Sequence, residues 1–313
     1  MIPALAGQAL LLVTLSLTGL ILARLIPVEK TLCCLASGFV AGLLVGPLGI
    51  DTGIRAGNVQ DLVFYVLLPP LLFQAAWHTS PTMLRRWAVP IILYATLGVV
   101  LSVAILAVLL YAGINHPGFP WIAALLAGAI LSATDPVSVV HLLREEKAPE
   151  DIATLVEGES LLNDAVAAVL FTLFLGIATT GDSPDSHWSL LGPFALHIIG
   201  GVVAGLTFGL ITSIIIMFLK SSTLANLILV LSAFGSFYIA QHLLDLSGIV
   251  TVVVTGLTAR SGLRNFEQQF LQDTQITWQW LGDTFIALIF TLMGLVIVPE
   301  MFLDQWLAIV IAI

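Results

Sequence analysis

Ten long segments of nearly continuous apolar residues constrain this chain more than any other feature of its sequence. Most are about as long as the roughly 20 residues that a helix needs to cross a bilayer. They lie near 6–26, 32–50, 58–77, 87–112, 121–141, 153–178, 190–219, 223–243, 247–262 and 278–299, and an eleventh begins near 304. Only 9% of the 313 residues are charged and 59% are hydrophobic, which no water-soluble core accommodates. The sequence therefore predicts an all-α polytopic membrane protein.

The basic residues alternate between the connections that join these segments. Nine of the ten Lys and Arg residues fall in odd-numbered connections, whereas the even-numbered connections carry only Arg55. Cytoplasmic connections of membrane proteins are enriched in Lys and Arg. We therefore expect the N-terminus to lie outside the cell and about ten complete spans, plus part of another, to follow it.

Two of the segments resemble each other in sequence. SGFVAGLLVGPLGI begins at Ser37 and SGIVTVVVTGLTAR begins at Ser247, and each places a glycine nine residues after its serine. The two are seven spans apart, so they run in opposite directions across the membrane. Similarity between oppositely oriented halves is typical of inverted-repeat secondary transporters, although small residues also serve close helix packing.

This repeat predicts how the chain is divided. We expect a first repeat over 1–178, which contains the ion-site helices, and an incomplete second repeat over 179–313. The offset between the two similar segments is 210 residues, which puts the counterpart of Asp135 near position 345. We therefore expect the second repeat to continue beyond Ile313.

An acid interrupts the fifth apolar segment, in the sequence Ser132-Ala133-Thr134-Asp135-Pro136. A carboxylate at membrane depth costs roughly 2.5–3.5 kcal/mol on insertion scales, so its default interpretation is functional. Proline disfavours helix at the preceding residue, so we expect a discontinuous helix near 132–137. Carbonyl groups freed by the break, such as that of Thr134, can coordinate a cation. The alternative is a proline kink whose Asp only caps freed amides.

A second acid lies in the sixth segment, in the sequence GESLLND. On a helix, Ser160 shares a face with Asn163 and Asp164, because residues three and four apart are neighbours. A hydroxyl, an amide oxygen and a carboxylate are thereby clustered, and hard cations prefer oxygen ligands. Glu159 lies beside this cluster and needs a cationic partner if it is buried. The alternative is a structural polar network between helices.

The two motifs together carry a resemblance to a known family. ATDPV followed by GESLLNDA resembles the paired motifs of the cation:proton antiporter family that contains the sodium/proton exchangers, of the bacterial monovalent cation:proton antiporter-1 type. The resemblance extends to LLPPLLF at 67–73, to LSGIV at 246–250 with Arg260 after it, and to FIALIFTLMGL at 285–295. It therefore covers most of the chain.

The resemblance implies a role for each residue of the cluster. Asp164 would bind the cation and the proton in turn. Asp135, Thr134, Ser160 and Asn163 would complete or support the site, with Na⁺, K⁺ or Li⁺ held at Asp164, Ser160 and Thr134. An Asn before the essential Asp goes with electroneutral exchange in this family.

Three further residues have supporting roles by the same resemblance. Glu159 would pair with an arginine on a later helix, which we expect beyond Ile313. Pro136 would hold the break open. Gln74 stands where the family often carries an acid, so it can coordinate through its carbonyl oxygen but cannot titrate.

We therefore expect a secondary active antiporter that exchanges Na⁺ for H⁺ across the plasma membrane, the inner membrane of a bacterium. The resemblance also implies a homodimer in the lipid bilayer and a role in pH regulation. We expect no cofactor, no nucleic-acid partner and no enzymatic activity. The sequence does not separate Na⁺/H⁺ from K⁺/H⁺ exchange.

Other classes of function remain to be weighed. A channel with carboxylates in its pore would show no coupling between cation and proton. A transporter of organic anions would need positive charge at the site, whereas the charged residues within these two motifs are acidic. An intramembrane enzyme would need a catalytic signature at membrane depth, and a structural subunit would tolerate neutralisation of Asp135 and Asp164.

Overall fold

The structure is a computed structural model that describes residues 2–45, 59, 61–114, 118–134, 136–180, 184–219, 221–264 and 268–297. In these residues the regular elements are helices. They are α1 (Ile2–Leu25), α2 (Lys30–Val45), α3 (Leu68–His78), α4 (Pro81–Arg86), α5 (Ala88–Leu93), α6 (Val99–Gly113), α7 (Trp121–Ser132), α8 (Val137–Glu145), α9 (Glu150–Thr180), α10 (Pro184–Leu219), α11 (Ser222–Tyr238), α12 (Gly248–Gly262) and α13 (Gln268–Val296).

Three wider, π-helical turns adjoin these helices directly. The turns are Val63–Leu67 before α3, Tyr94–Gly98 between α5 and α6, and Ile239–Leu243 after α11. Such turns in longer helices frequently occur at functional sites. With its turn, the helix from Ala88 to Gly113 is continuous over 26 residues.

The helices confirm the predicted class of fold, an all-α polytopic membrane protein. Six described helices are long and apolar enough to cross a membrane, and four shorter apolar helices accompany them. Each of the ten predicted segments overlaps one of these helices, and the number of spans and the orientation of the N-terminus stay predictions. The predicted eleventh segment, from about 304, lies outside the described residues.

The predicted discontinuous helix is also confirmed. The fifth apolar segment is split between α7, which ends at Ser132, and α8, which begins at Val137. Ala133 is extended, with φ −69° and ψ 131°. The carbonyl oxygen of Pro136 accepts the amide of Val140 at 2.8 Å and so begins α8. Asp135 itself lies outside the described residues.

The chain forms two compact units. The first comprises Met1–Leu71 and Ile276–Ile313. In it α1 and α13 meet through a polar contact in an apolar setting, because the Ser16 hydroxyl donates to Thr291 Oγ1 at 2.9 Å. Leu12 and Leu292 are buried in the same unit and pack in one apolar cluster.

The second unit comprises Leu72–Gln275. Its two most closely packed helices, α10 and α12, meet along a stripe of glycines at Gly201, Gly205 and Gly209. A Cβ on Gly205 would lie 2.7 Å from the carbonyl oxygen of Thr251. The Thr251 hydroxyl donates to the carbonyl of Gly201 at 3.1 Å. Small residues let membrane helices approach this closely.

A second contact in the same unit positions the broken helix. Val99 and Val103 of α6 pack with Ala129 of α7 and Ala167 of α9, and all four are buried. The helix α7 thus lies against both α6 and α9. As a result, the break that follows Ser132 is held next to the middle of α9.

We expect Gly205→Leu to loosen the α10–α12 pair. The added side chain has no space between the helix backbones, and overpacking of this kind costs about 1–3 kcal/mol. The measurement is the thermal midpoint of the detergent-solubilised protein, which should fall. Gly235→Leu is the control, because no described atom lies within 4 Å of a Cβ at Gly235. Equal midpoints for the two variants would contradict the packing argument.

Candidate ion-binding site

The candidate site is formed where the broken helix meets α9. Ser160 is 5% exposed and Asn163 is 3% exposed, and both lie on the side of α9 that faces the break. The Ser160 hydroxyl donates to the carbonyl oxygen of Thr134 at 2.6 Å. The Asn163 amide donates to Thr134 Oγ1 at 3.0 Å. The structure thus brings together Thr134, Ser160 and Asn163, and their roles in cation binding stay predictions.

The chain folds this way because the break leaves carbonyl groups without helical partners. Irregular backbone at membrane depth is tolerated only when it is buried in protein or lines a cavity. Ser160 supplies a donor for one freed carbonyl, and the Ser132 hydroxyl donates to the carbonyl of Ala129 at 2.9 Å. The carboxyl end of α7 also carries a partial negative charge, which favours a cation there.

Glu159 belongs to this cluster through Asn163. The Asn163 amide nitrogen lies 3.5 Å from Glu159 Oε1, one helical turn away. Glu159 is half-buried. Among the described residues it has no basic partner, so the ion pair that the sequence predicted for Glu159 stays a prediction.

The nitrogen and the oxygen of the Asn163 side-chain amide differ in their hydrogen bonding. Its nitrogen has two acceptors, whereas its buried Oδ1 atom has no hydrogen-bond donor among the described residues. A buried acceptor without a partner is rare in native proteins and calls for an explanation. A bound cation at this atom would supply one.

Asp164 differs in exposure from the buried residues of the cluster. It is exposed, whereas the adjacent Asn163 is buried. Asp164 follows Ser160 by four residues on α9, about one helical turn, so its carboxylate borders the cluster.

The remaining predicted residues have separate positions. Pro136 is half-buried at the break, immediately before α8. Gln74 lies on α3, where its backbone carbonyl contacts the His78 ring at 2.9 Å. The described hydrogen bonds of the cluster do not include Gln74. Asp135 lies between two described residues of the break but is itself outside the described residues.

A cavity of about 310 Å³ borders the cluster on the side of α6. Thr134, Glu159 and Asn163 line it, and so do Tyr94 and Ser102. The sequence analysis missed Tyr94, Gly98 and Ser102. Their spacing of four residues places them on one helical face, and this regular spacing within an otherwise apolar segment was the signal that could have found them.

Comparison with known proteins identifies the family. A model of the family described as sodium/hydrogen exchanger, transmembrane, matches residues 10–313. Sodium/hydrogen exchanger 7 of Arabidopsis thaliana is 34% identical over 82% of this chain and 22% of its own length. The Na⁺/H⁺ antiporter NhaS2 of Synechocystis sp. is 33% identical over 88% of this chain and 50% of its own length. The chain thus spans half or less of these relatives.

A solved structure shares the fold. The sodium proton antiporter MjNhaP1 from Methanocaldococcus jannaschii, at pH 8, superimposes with a TM-score of 0.79 at 21% identity. The match covers 99% of this chain and 74% of the antiporter chain. The family is one of transporters, and the helices are those of a multi-pass membrane protein. The chain therefore belongs to the sodium/hydrogen exchanger family of transmembrane proteins.

Proposed function

We propose that this protein is a secondary active antiporter that exchanges Na⁺ for H⁺. The observation that carries the proposal is the convergence of Thr134, Ser160 and Asn163 at a broken membrane helix, one residue from Asp164. These groups present oxygen atoms, which sodium-like hard cations prefer. The names of NhaS2 and MjNhaP1 describe the same exchange for those proteins.

The proposed mechanism is competition for one carboxylate. Asp164 is neutralised either by a proton or by the cation, so each side of the membrane loads the site with one of them. When the cation is bound, we propose that Thr134 and Ser160 contribute oxygen ligands beside Asp164. Asp135 would complete the site at the break. Li⁺ or K⁺ would use the same ligands.

The neutral side chain at Asn163 bears on the stoichiometry. It stands directly before Asp164 and donates hydrogen bonds instead of titrating. One carboxylate that alternates between one Na⁺ and one H⁺ moves no net charge across the membrane. We therefore propose electroneutral one-for-one exchange.

We propose that the transport cycle alternates access between two sides of the membrane. The inverted repeats, over 1–178 and 179–313, would supply the two oppositely oriented halves. The distribution of Lys and Arg supports an outside N-terminus.

The proposed location is the plasma membrane, which is the inner membrane of a bacterium. We propose a homodimer as the assembly and pH regulation as the physiological role.

We expect Asp164→Asn to abolish exchange, because an amide neither binds a proton nor carries the charge that a cation needs. The measurement is Na⁺-driven proton flux in proteoliposomes. Asp245→Asn is the matched control, since Asp245 is an exposed carboxylate that contacts His197 at 3.8 Å, outside the site. Coupled flux that persists in Asp164→Asn would overturn the assignment. Uncoupled cation leak through the unaltered protein would indicate a channel instead.

We expect Ser160→Ala to raise the KM for Na⁺ about fivefold, since one net hydrogen bond is worth about 1 kcal/mol. The Thr134 carbonyl loses its donor and the cation loses an oxygen ligand. Thr172→Val is the control on the same helix, because the Thr172 hydroxyl donates only to Val169 within α9 among the described contacts. An unchanged KM in Ser160→Ala would remove Ser160 from the site.

We expect the rate of exchange to be independent of membrane potential. The test imposes a potential with K⁺ and valinomycin on proteoliposomes that contain the unaltered protein. Equal Na⁺-driven proton flux at positive and negative potentials supports one-for-one exchange. A rate that follows the potential would show that the cycle carries net charge.

A further inference from the structure

Arg260 has an unusual environment for a guanidinium group. It lies in the last turn of the apolar helix α12 and is half-buried. Its Cζ atom lies 5.6 Å from the centre of the Trp77 ring, and Trp77 is only 1% exposed. The Trp77 ring in turn stacks on Phe73, with ring centres 6.0 Å apart.

The Trp77 ring does not satisfy the hydrogen-bonding capacity of Arg260. A guanidinium has five N–H donors in its plane, whereas a cation–π contact engages only its face. Among the described residues Arg260 has no carboxylate partner. Within the described residues, the N–H donors of this half-buried guanidinium therefore remain available to an anion from outside the protein.

Two other arginines belong to segments next to Trp77 and Arg260 in the chain. The short helix α4, which carries the exposed Arg85, follows Trp77 and packs against α12. Arg264 follows α12 and is also exposed. Arg86 differs from them, because it contacts Asp151 at 3.6 Å. Arg85, Arg260 and Arg264 thus have no acidic partner within the described residues.

The depth of this cluster favours one kind of anion. The apolar helices α3 and α12 end at His78 and Gly262, next to Trp77 and Arg260. The ends of helices long and apolar enough for a bilayer lie at its headgroup level. A ligand that matches this position carries a phosphate group, which accepts hydrogen bonds from the arginines. It also carries an apolar part, which lies in the adjoining hydrocarbon of the bilayer.

We propose that Arg260, Arg264 and Arg85 bind the headgroup phosphate of an anionic phospholipid. Trp77 orients Arg260 from beneath, and the acyl chains extend along the apolar helices that end here. Basic pockets at the cytoplasmic ends of membrane helices recognise such headgroups, and the Lys and Arg distribution places this end on that side. The site is separate from the ion-binding cluster and does not depend on the proposed exchange.

The test titrates phosphatidylglycerol into the whole detergent-solubilised chain and counts bound lipid by native mass spectrometry. Phosphatidylcholine is the uncharged-headgroup reference. We expect Arg260→Gln to weaken phosphatidylglycerol binding about fivefold, the worth of one basic residue at an anionic headgroup. Arg264→Gln should act in the same direction. Arg24→Gln is the control, since Arg24 is an exposed arginine in the last turn of α1.

Three outcomes would overturn the proposal. Equal binding of the two lipids would exclude recognition of the anionic headgroup. An equal loss in Arg24→Gln and Arg260→Gln would indicate general surface charge. Displacement of the lipid by glycerol 3-phosphate at equal concentration would indicate a site for free phosphate esters. Arg260→Lys keeps the charge but not the planar fork, so its intermediate affinity supports the proposal even if Arg260→Gln fails to fold.

Discussion

The hydrogen bond from Ser160 to the carbonyl of Thr134 is the interaction on which the candidate site depends. A broken helix within a membrane protein exposes backbone groups that lipid cannot satisfy. In this protein the neighbouring helix α9 supplies the missing donors from its side chains. The contacts that hold α7 against α6 and α9 bring the break within reach of those donors. The same contacts therefore satisfy a carbonyl of the broken backbone and assemble the oxygen atoms of the candidate site.

Sequence predicted the elements whose causes are local. Pro136 restricts the backbone of the residue before it. The break between α7 and α8 could therefore be predicted from the five residues 132–136 alone. The shared face of Ser160 and Asn163 follows from helical spacing alone. The apolar segments were found for the same reason, because the length and apolar character that a bilayer requires of a span are set along the chain.

Features that depend on contacts between helices were not predictable in this way. Nothing local in the sequence shows that Ser160 donates to Thr134, or that Asn163 joins Thr134 to Glu159. The cavity beside the π-helical turn Tyr94–Gly98 is lined jointly by residues of this turn and of α6, α7 and α9. The exposure of Asp164 likewise depends on which side of α9 the neighbouring helices cover.

The glycine stripe between α10 and α12 restricts how these helices can move. The two helices approach closely at every fourth residue of α10, at Gly201, Gly205 and Gly209. If α12 slid a short distance along α10, its backbone carbonyl groups would collide with the side chains between these glycines. The next compatible register is one repeat away, about 6 Å along the helix axis. Small thermal displacements of two packed helices do not add up gradually to a shift of this size, because the intermediate registers clash. We therefore expect α10 and α12 to move together as one rigid body during any conformational cycle. The helix interfaces that separate in such a cycle must then be other ones.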